Sequence, residues 1–201
     1  MNGSYRLIGI TGAAGAGKDA TAAIILDELG GGLRMGLADP IKAFCETLFS
    51  WPRHYTSGPS EMRDKLDPHG RRRADGEVLT IRHGLRTLGV DWGRSCHPDT
   101  WVDFFRHRYR VFRRSGLCPN GFGVQGEYED LMQPVVVPDV RFANDAAGII
   151  EEGGEIWRVV RAAEHVSEGE SEVDPYVSHI IVNDGTLEDL RCKIQLALAT
   201  T

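Results

Sequence analysis

The fold of this chain is decided by one stretch near its start, Ile8-Gly9-Ile10-Thr11-Gly12-Ala13-Ala14-Gly15-Ala16-Gly17-Lys18-Asp19. An apolar run before the glycines predicts a buried strand over residues 5–10, and the alanine-rich segment after them predicts a helix over residues 17–29. Four residues separate Gly12 from Gly17-Lys18, which is the spacing of a phosphate-binding loop. Glycines let backbone N–H groups turn inward, so the loop and the N-terminus of the helix form a cradle for anions.

We expect this loop to hold the phosphates of a donor nucleotide, with Lys18 as a mobile positive charge for the terminal phosphates. Backbone N–H groups of a glycine-rich turn bind phosphate oxygens without any side chain. The residues predicted to line the donor phosphates are Gly12, Ala13, Ala14, Gly15, Ala16, Gly17, Lys18, Asp19 and Ala20.

The residue after the lysine departs from the pattern, which expects Ser or Thr as a Mg²⁺ ligand. Here the position holds Asp19, and Thr21 follows two places later. A carboxylate can hold Mg²⁺ directly or through water, but it also adds negative charge beside the phosphates. Asp19 therefore indicates either a displaced metal ion or an additional proton acceptor. The simpler alternative is a glycine-rich turn with an Asp that caps the next helix.

Composition excludes some classes of protein. The chain has 201 residues, 41% of them hydrophobic, which fits one α/β domain with an insertion. Its 23 basic and 29 acidic residues give a net charge of -6, which argues against a general nucleic-acid coat, although local arginines can still bind a small polyanion. Its 4 cysteines have no paired spacing, which favours reduced cytosolic thiols over a metal cluster.

The N-terminus leads directly into the phosphate loop, so its short apolar run predicts a first strand and not a signal peptide. No apolar run is long enough to span a bilayer. We therefore expect a cytoplasmic protein without a membrane partner.

Strands and helices alternate along the predicted chain. Apolar runs predict strands over residues 5–10, 33–38, 134–137, 156–160 and 179–182, and helical spacing predicts helices over 17–29, from Asp39 onward, over 80–88, 99–112, 144–152 and 187–198. Five apolar strands separated by helices predict a five-stranded parallel sheet covered on both faces, a three-layer α/β/α fold. We expect one domain, with a core of residues 1–50 and 131–201, an insertion over 51–130 and a lid at about 161–177.

Two parts of the insertion have a distinct character. Residues 51–78 predict an irregular segment that Trp51, Tyr55 and Leu66 anchor, and the glycine-rich residues 115–130 predict a mobile loop. The helix over 99–112 has an aromatic stripe that indicates core packing. Its arginines at 106, 110, 113 and 114 indicate a solvated face, with binding of single-stranded nucleic acid as the weaker alternative.

Phosphoryl transfer needs charge neutralisation and in-line positioning, and the chain offers candidates for each. Asp139 follows an apolar strand, where a parallel sheet places its ligand, and Asp39 could orient or deprotonate an acceptor. The predicted Mg²⁺ ligands are Asp19, Thr21 and Asp139. Arg82, Arg86, Arg94 and Arg141 could clamp an acceptor phosphate, and Arg158 and Arg161 could close over the transferring group from the lid.

Five motifs resemble those of the bacteriophage deoxynucleoside monophosphate kinases, over nearly the whole chain and in the same order. Besides the loop with Lys18-Asp19, these are Leu37-Ala38-Asp39-Pro40-Ile41-Lys42, the segment from Arg82 to Arg94 with Asp99-Thr100-Trp101-Val102, Pro138-Asp139-Val140-Arg141-Phe142-Ala143-Asn144-Asp145-Ala146, and a final pair, His165-Val166-Ser167-Glu168 with Asn183-Asp184-Gly185-Thr186-Leu187. Each motif is short, but five in register make the resemblance specific.

The resemblance implies a kinase fold with a helical substrate-binding insertion and a lid, ATP and Mg²⁺, a 5′-deoxynucleotide acceptor and a homodimer. It also implies a viral protein that works in the host cytoplasm. The catalytic residues would be Lys18, Asp19, Asp39, Asp139 and Arg141. The substrate-binding residues would be Asp39, Lys42, Arg82, Arg86, Val90, Trp92, Arg94, Trp101, Arg141 and Asn144, while Arg158, Arg161 and Asn183 would lie on the ATP side.

Two residues depart from the family pattern, because Arg86 stands where Gln is expected and Val90 stands where Thr is expected. A Gln both donates and accepts hydrogen bonds, whereas Arg only donates. Arg86 would therefore suit acceptor-only groups such as guanine O6 and N7, or a phosphate. These two residues leave the preferred base open, and a modified phage nucleotide is among the candidate acceptors.

Other functions remain open from the sequence. Animal-type phosphomevalonate kinases resemble the chain in a Lys-Asp loop and a D-x-R motif, but Trp92 and Trp101 favour an acceptor with a base. A kinase for hydroxymethyl-deoxyuridine, free or in DNA, is a related alternative. An ATP-binding regulator without catalysis is the alternative of another class, and Asp19 supports it best.

Overall fold

The structure, a computed structural model, describes residues 6–119, 124–161 and 170–200. Its strands in chain order are β1 (Leu7–Thr11), β2 (Leu33–Arg34), β3 (Leu117–Pro119), β4 (Val124–Glu127), β5 (Val135–Val137), β6 (Glu155–Val160) and β7 (Val177–Val182). Five of them form a parallel sheet in the order β2-β5-β1-β6-β7, and β3 pairs with β4 in a separate antiparallel hairpin. β1, which leads into the phosphate loop, is therefore the central strand.

The α-helices are α1 (Lys18–Glu28), α2 (Asp39–Phe49), α3 (Arg53–Ser57), α4 (Ile81–Arg86), α5 (Thr100–Ser115), α6 (Ala143–Glu151) and α7 (Leu187–Ala199). Short 3₁₀ helices cover Ser60–Asp64 and Glu170–Tyr176. A π-helical segment, Thr87–Arg94, continues α4.

The side chains of the central strands alternate between two cores. Ile8, Ile10 and Val136 pack against α1 and α7, whereas Leu7, Val135 and Val137 pack against α5 and α6. Successive strand residues point to opposite faces, so a strand that is apolar throughout must be covered on both sides. This arrangement confirms the predicted three-layer α/β/α fold, which is consistent with a P-loop kinase.

The insertion packs around Trp51, as predicted. Its indole is 3% exposed, lies with Cys45 and Ile81 in a third core, and donates a hydrogen bond of 2.5 Å to Asp67 Oδ1. Tyr55 packs against the same core, but Leu66 is 58% exposed and does not anchor the segment.

β2 is shorter than the predicted strand over residues 33–38. The N–H groups of Gly36, Leu37 and Ala38 bond to the carboxylates of Asp39 and Asp139, so this backbone does not continue the ladder. Residues after β2 therefore form a turn that holds two carboxylates.

Residues 115–130 were predicted to form a mobile loop, and the described part of this segment contains the β3–β4 hairpin. Leu117 pairs with Glu127 and Cys118 pairs with Gly126 in the β3–β4 hairpin, and Cys118 is fully buried. Residues 120–123 lie outside the described part of the chain, as do residues 162–169 of the predicted lid. The described remainder of the lid is the 3₁₀ helix Glu170–Tyr176.

None of the helices in the described ranges combines the length and the apolar composition needed to cross a membrane.

Candidate active site

The glycines of the phosphate loop are required by its backbone. Gly12, Gly15 and Gly17 have φ values of 139°, 87° and 100°, a region that side chains with a Cβ rarely adopt. A Cβ on Gly12 would stand 2.1 Å from the carbonyl oxygen of Val159, and a Cβ on Gly17 would stand 2.4 Å from Asn183 Nδ2. At Gly15 a Cβ would meet nothing within 4 Å, so the crest of the loop is open. The loop is therefore a shaped and accessible cradle, as an anion site requires.

Three side chains hold the loop carbonyls. Lys18 Nζ donates to the carbonyl oxygens of Gly12 and Ala13 at 2.5 and 2.6 Å, and Asn183 Nδ2 donates to Ala16 O at 2.8 Å. Arg161 Nη1 donates to Gly15 O at 3.3 Å. The structure thus brings Lys18, Arg161 and Asn183 to the loop, where the sequence predicted them. Arg158 is held instead in an ion pair with Asp174 of the lid.

Two carboxylates meet at the end of β2. Asp139 Oδ1 and Oδ2 accept the N–H groups of Leu37 and Ala38 at 2.8 and 3.0 Å, and Asp39 Oδ2 accepts the N–H of Gly36 at 2.8 Å. Among the described residues there is no group of three or more His, Cys, Asp or Glu side chains that could hold a metal.

Arg34 connects the loop to this carboxylate pair, and the sequence did not single it out. Its Nη2 lies 3.1 Å from Asp19 Oδ1 and its Nη1 lies 3.7 Å from Asp39 Oδ1. The side chain of Asp19 is 76% exposed and that of Arg34 is 41% exposed. The only sequence signal was the position of Arg34 within the second strand.

Arg108 holds Asp39 from inside the protein. Its side chain is fully buried on α5, and its Nη1 donates to Gly36 O at 3.1 Å and to Asp39 Oδ2 at 3.3 Å. Its Nη2 also donates to Cys118 Sγ at 3.7 Å. Arg108 was not among the residues predicted from the sequence. Helical spacing could have identified it as an inward-facing residue, because Phe104, Arg108 and Phe112 recur every four residues along the inner side of α5.

Three of the four arginines predicted to clamp an acceptor phosphate are engaged by protein groups. Arg82 pairs with Asp64 and donates to Ser60 O at 3.1 Å, and Arg94 Nη2 lies 2.7 Å from Asp145 Oδ1. Arg86 is exposed, with its nearest carboxylate, on Asp91, at 3.8 Å. In this structure the guanidinium groups of all three are therefore held by carboxylates of the protein.

Arg94 instead stabilises the turn after β5. Its guanidinium lies 3.6 Å from the centre of the Phe142 ring and donates to Asn144 Oδ1 at 3.1 Å. Its partner Asp145 is buried, and burial raises the pKa of that carboxyl while Arg94 lowers it. Asp145 Oδ2 accepts the N–H groups of Arg141 and Phe142, so the pair fixes the backbone that carries Arg141.

Arg141 acts electrostatically on Arg63, a residue that was not among those predicted from the sequence. Burial lowers the pKa of the Arg63 guanidinium, the charges of Asp19 and Asp139 raise it, and the charges of Arg141 and Arg82 lower it. Arg63 Nε donates to Thr56 O at 3.3 Å. In the described ranges neither Arg63 nor Arg141 has a carboxylate within ion-pair distance.

The remaining predicted residues divide into structural and exposed positions. Trp101 packs on Gly93 and donates to Gly89 O at 2.6 Å, and Asn144 Nδ2 donates to Asp99 Oδ1 at 2.6 Å, so both hold the insertion in place. Trp92 is 55% exposed and Val90 is 41% exposed. Lys42 is half-buried on the first turn of α2.

Thr21 was predicted as a metal ligand, but its side chain is on the buried face of α1. Its hydroxyl is out of contact with solvent and has no hydrogen-bond partner in the described part of the chain. The structure therefore does not bring Thr21 to the open side of the loop.

Comparison with known proteins shows a likeness to a viral protein and to a solved structure. No protein-family model matches the chain. The crystal structure of TT1252 from Thermus thermophilus aligns over 98% of this chain and 97% of that chain, with a TM-score of 0.47 and 19% identity, a likeness too weak to argue from. A protein of Acanthamoeba polyphaga mimivirus is 29% identical over 197 residues, which cover 94% of this chain and 93% of that protein. The chain is thus similar along nearly its whole length to a giant-virus protein described as "Putative deoxynucleotide monophosphate kinase".

Proposed function

We propose that the protein is a deoxynucleoside monophosphate kinase, which transfers the γ-phosphoryl group of ATP to a 5′-deoxynucleotide. The observation that carries the proposal is that a phosphate loop and a pair of carboxylates both lie at the carboxyl ends of the parallel strands. A lysine-bearing phosphate loop follows β1, and the Asp39–Asp139 carboxylate pair lies beside it, after β2 and β5. Open parallel sheets bind their ligands at the carboxyl ends of the strands. The description of the mimivirus relative supports the same reaction.

On the donor side, the open crest at Gly15 and the N-terminus of α1 would hold the polyphosphate. Lys18 rests on the loop carbonyls of Gly12 and Ala13 and would turn to the terminal phosphates when they bind. Asn183 and Arg161 would keep the loop in shape, because each holds one of its carbonyl oxygens.

Asp139 fits a bound Mg²⁺ ion, because its carboxylate offers oxygen ligands and the donor phosphates and water would supply the others. Asp139 is already oriented by two backbone N–H groups. When bound, Mg²⁺ would neutralise charge on the donor phosphates. Of the other two predicted ligands, Thr21 is buried and Asp19 is paired with Arg34.

On the acceptor side, Arg141 and Arg63 would bind the 5′-phosphate. Each is free of ion pairs in the described residues, and the positive charge of Arg141 lowers the pKa of Arg63 while the negative charge of Asp139 raises it. A phosphate between them would gain charge-assisted hydrogen bonds and remove their mutual repulsion. Asp39, held by Gly36 and Arg108, would orient the acceptor; a phosphate dianion needs no general base.

Arg86 at the end of α4, and Val90 and Trp92 on the π-helical segment, are exposed and are the proposed contacts to the base. Their side chains can select an acceptor without rearrangement of the core. We expect a homodimer from the resemblance, and sedimentation of the purified protein measures this independently of activity.

The test is an ADP-release assay with ATP, Mg²⁺ and separate acceptors: dAMP, dGMP, dCMP, dTMP, 5-hydroxymethyl-dUMP, the matching ribonucleotides and phosphomevalonate. We expect release that depends on a deoxynucleotide. Release with phosphomevalonate alone would identify the other kinase, and ATP binding without any acceptor-dependent release would identify a regulator.

A further inference from the structure

Arg34 occupies the space between the donor loop and the acceptor carboxylate. One nitrogen of its guanidinium lies 3.1 Å from Asp19, directly after Lys18, and another lies 3.7 Å from Asp39. Arg34 is the final residue of β2, so it lies toward the carboxyl ends of the strands, where parallel sheets bind their ligands. This one cation therefore contacts both halves of the proposed reaction site.

The guanidinium is available to a ligand. Its side chain is 41% exposed, and a guanidinium carries five N–H donors in a planar fork. The contacts to Asp19 and Asp39 leave donors that can reach phosphate oxygens. Both carboxylates are also exposed to some extent, so the ion pairs add little to stability and can be rearranged when a ligand binds.

The charge of Asp19 explains why an arginine is needed there. A carboxylate beside the lysine places a negative charge next to the polyphosphate, and like charges at short distance repel by several kcal/mol at protein surfaces, about 4 kcal/mol at 4 Å. The guanidinium at 3.1 Å offsets that charge. The Asp19–Arg34 pair has no net charge, and it presents the N–H donors of the guanidinium to the phosphates.

We propose that Arg34 is a catalytic residue that contacts the transferring phosphoryl group, and that Asp19, in the position of the usual hydroxyl residue, positions it. This inference rests on the proposed kinase function. In the transfer, an acceptor phosphate oxygen bonds to the γ-phosphorus while the bond from that phosphorus to the bridging oxygen breaks. The electron pair remains on ADP, and charge that develops on the equatorial and bridging oxygens is stabilised by the guanidinium.

One set of variants separates a positioning role of Asp19 from the metal-ligand and proton-acceptor roles that the sequence left open for it. The variants are Asp19→Asn, Arg34→Gln, Arg34→Lys and the double variant Asp19→Asn with Arg34→Gln. Arg110→Gln is the matched control, because Arg110 has an exposed ion pair, with Glu152 at 2.6 Å, on α5. Steady-state kinetics, the Mg²⁺ concentration at half-maximal rate and calorimetric ATP binding are measured for each.

We expect Arg34→Gln to lower kcat on the order of 100-fold while ATP binding and the KM for the acceptor change little. Asp19→Asn lowers kcat less, and the double variant is no slower than Arg34→Gln, because the carboxylate acts through the arginine. Arg34→Lys restores part of the rate. The Mg²⁺ requirement stays the same in all variants, and Arg110→Gln behaves as the wild type.

Independent losses that multiply in the double variant would overturn the proposal, as would a raised Mg²⁺ requirement that is confined to Asp19→Asn. Normal turnover in Arg34→Gln would overturn it while leaving the kinase function in place. If the wild-type protein shows no acceptor-dependent ADP release, the kinase function fails and this inference fails with it.

Discussion

Asp39 and Asp139 face each other across Gly36: Asp39 Oδ1 lies 2.6 Å and Asp139 Oδ2 lies 3.1 Å from the point where a Cβ on Gly36 would stand. The backbone N–H of Gly36 also binds Asp39 Oδ2. A glycine at this position therefore allows the close approach of two carboxylates from distant parts of the sequence.

Gly36→Ala should displace the carboxylate pair. The φ of Gly36 is not in the left-handed region, so the loss comes from the methyl group and not from backbone strain. We expect about 1–3 kcal/mol of destabilisation and at least a tenfold lower kcat, measured by urea unfolding and ADP release. At Gly76 a Cβ meets nothing within 4 Å, although its φ of 89° makes an alanine there strained, so Gly76→Ala should lower stability and still retain the rate. Equal rates in the two variants would contradict the role given to Gly36.

Arg108→Met should destabilise the protein, because it leaves Gly36 O and the inner oxygen of Asp39 without their buried donor. We expect a loss of about 2–4 kcal/mol in the free energy of unfolding, less than for two fully buried charges, since the Asp39 side chain is 17% exposed. Arg110→Met, two residues further on α5, removes only an exposed ion pair and should cost about 0–1 kcal/mol. The same loss in both variants would show that burial at position 108 is not decisive.

Lys18→Ala should remove transfer without unfolding the protein. The lysine is not part of a core cluster, and the loop keeps its glycines and the hydrogen bond from Asn183. We expect kcat to fall at least on the order of 100-fold, with an unchanged far-UV circular dichroism spectrum. Lys65→Ala is the control, since Lys65 is exposed in the insertion. Near-normal turnover in the Lys18 variant would place the donor site elsewhere.

Arg63→Gln and Arg141→Gln should weaken acceptor binding. If both guanidinium groups hold the acceptor phosphate, each variant raises the acceptor KM about tenfold or more, since a hydrogen bond to a charged group contributes about 1.5–3 kcal/mol. Acceptor titrations at saturating ATP measure this. Arg53→Gln and Arg114→Gln alter exposed arginines outside the site and should leave the KM unchanged. A KM effect for Arg141 alone would remove Arg63 from the acceptor site.

Thiol reactivity should divide the cysteines into two classes. Cys96 and Cys192 are exposed, whereas Cys45 and Cys118 are buried. Burial, with a smaller effect of Glu46, raises the pKa of the Cys45 thiol to about 12, so it stays protonated and unreactive at pH 8. We expect a disulfide reagent to modify two thiols quickly in the native protein and all four after unfolding. Rapid modification of Cys45 in the native state would contradict its packing against Trp51 and Ile81.

Local patterns account for the elements that the sequence predicted well. The glycine spacing before Lys18 predicted the strand, loop and helix, and the helical spacing of aromatic residues predicted α5. The early end of β2 and the β3–β4 hairpin were missed because the partners of their backbone groups are distant or antiparallel segments that composition does not reveal. Arg94 was assigned to the acceptor, yet its ion pair with Asp145, 51 residues away, gives it a structural role.

By itself the sequence determined the α/β order of elements, the phosphate loop and the residue types at the strand ends, because strand alternation, helix spacing and glycine geometry act over a few neighbouring residues. Only the tertiary structure decided which of those charges meet. Asp139 reaches Leu37 across 102 positions, Arg108 reaches Asp39 across 69, and Arg34 reaches Asp19 across 15. Such pairs arise because parallel strands that are far apart in sequence have their carboxyl ends on the same side of the sheet. A buried or half-buried charge there is unfavourable unless an opposite charge or a hydrogen-bond partner lies beside it.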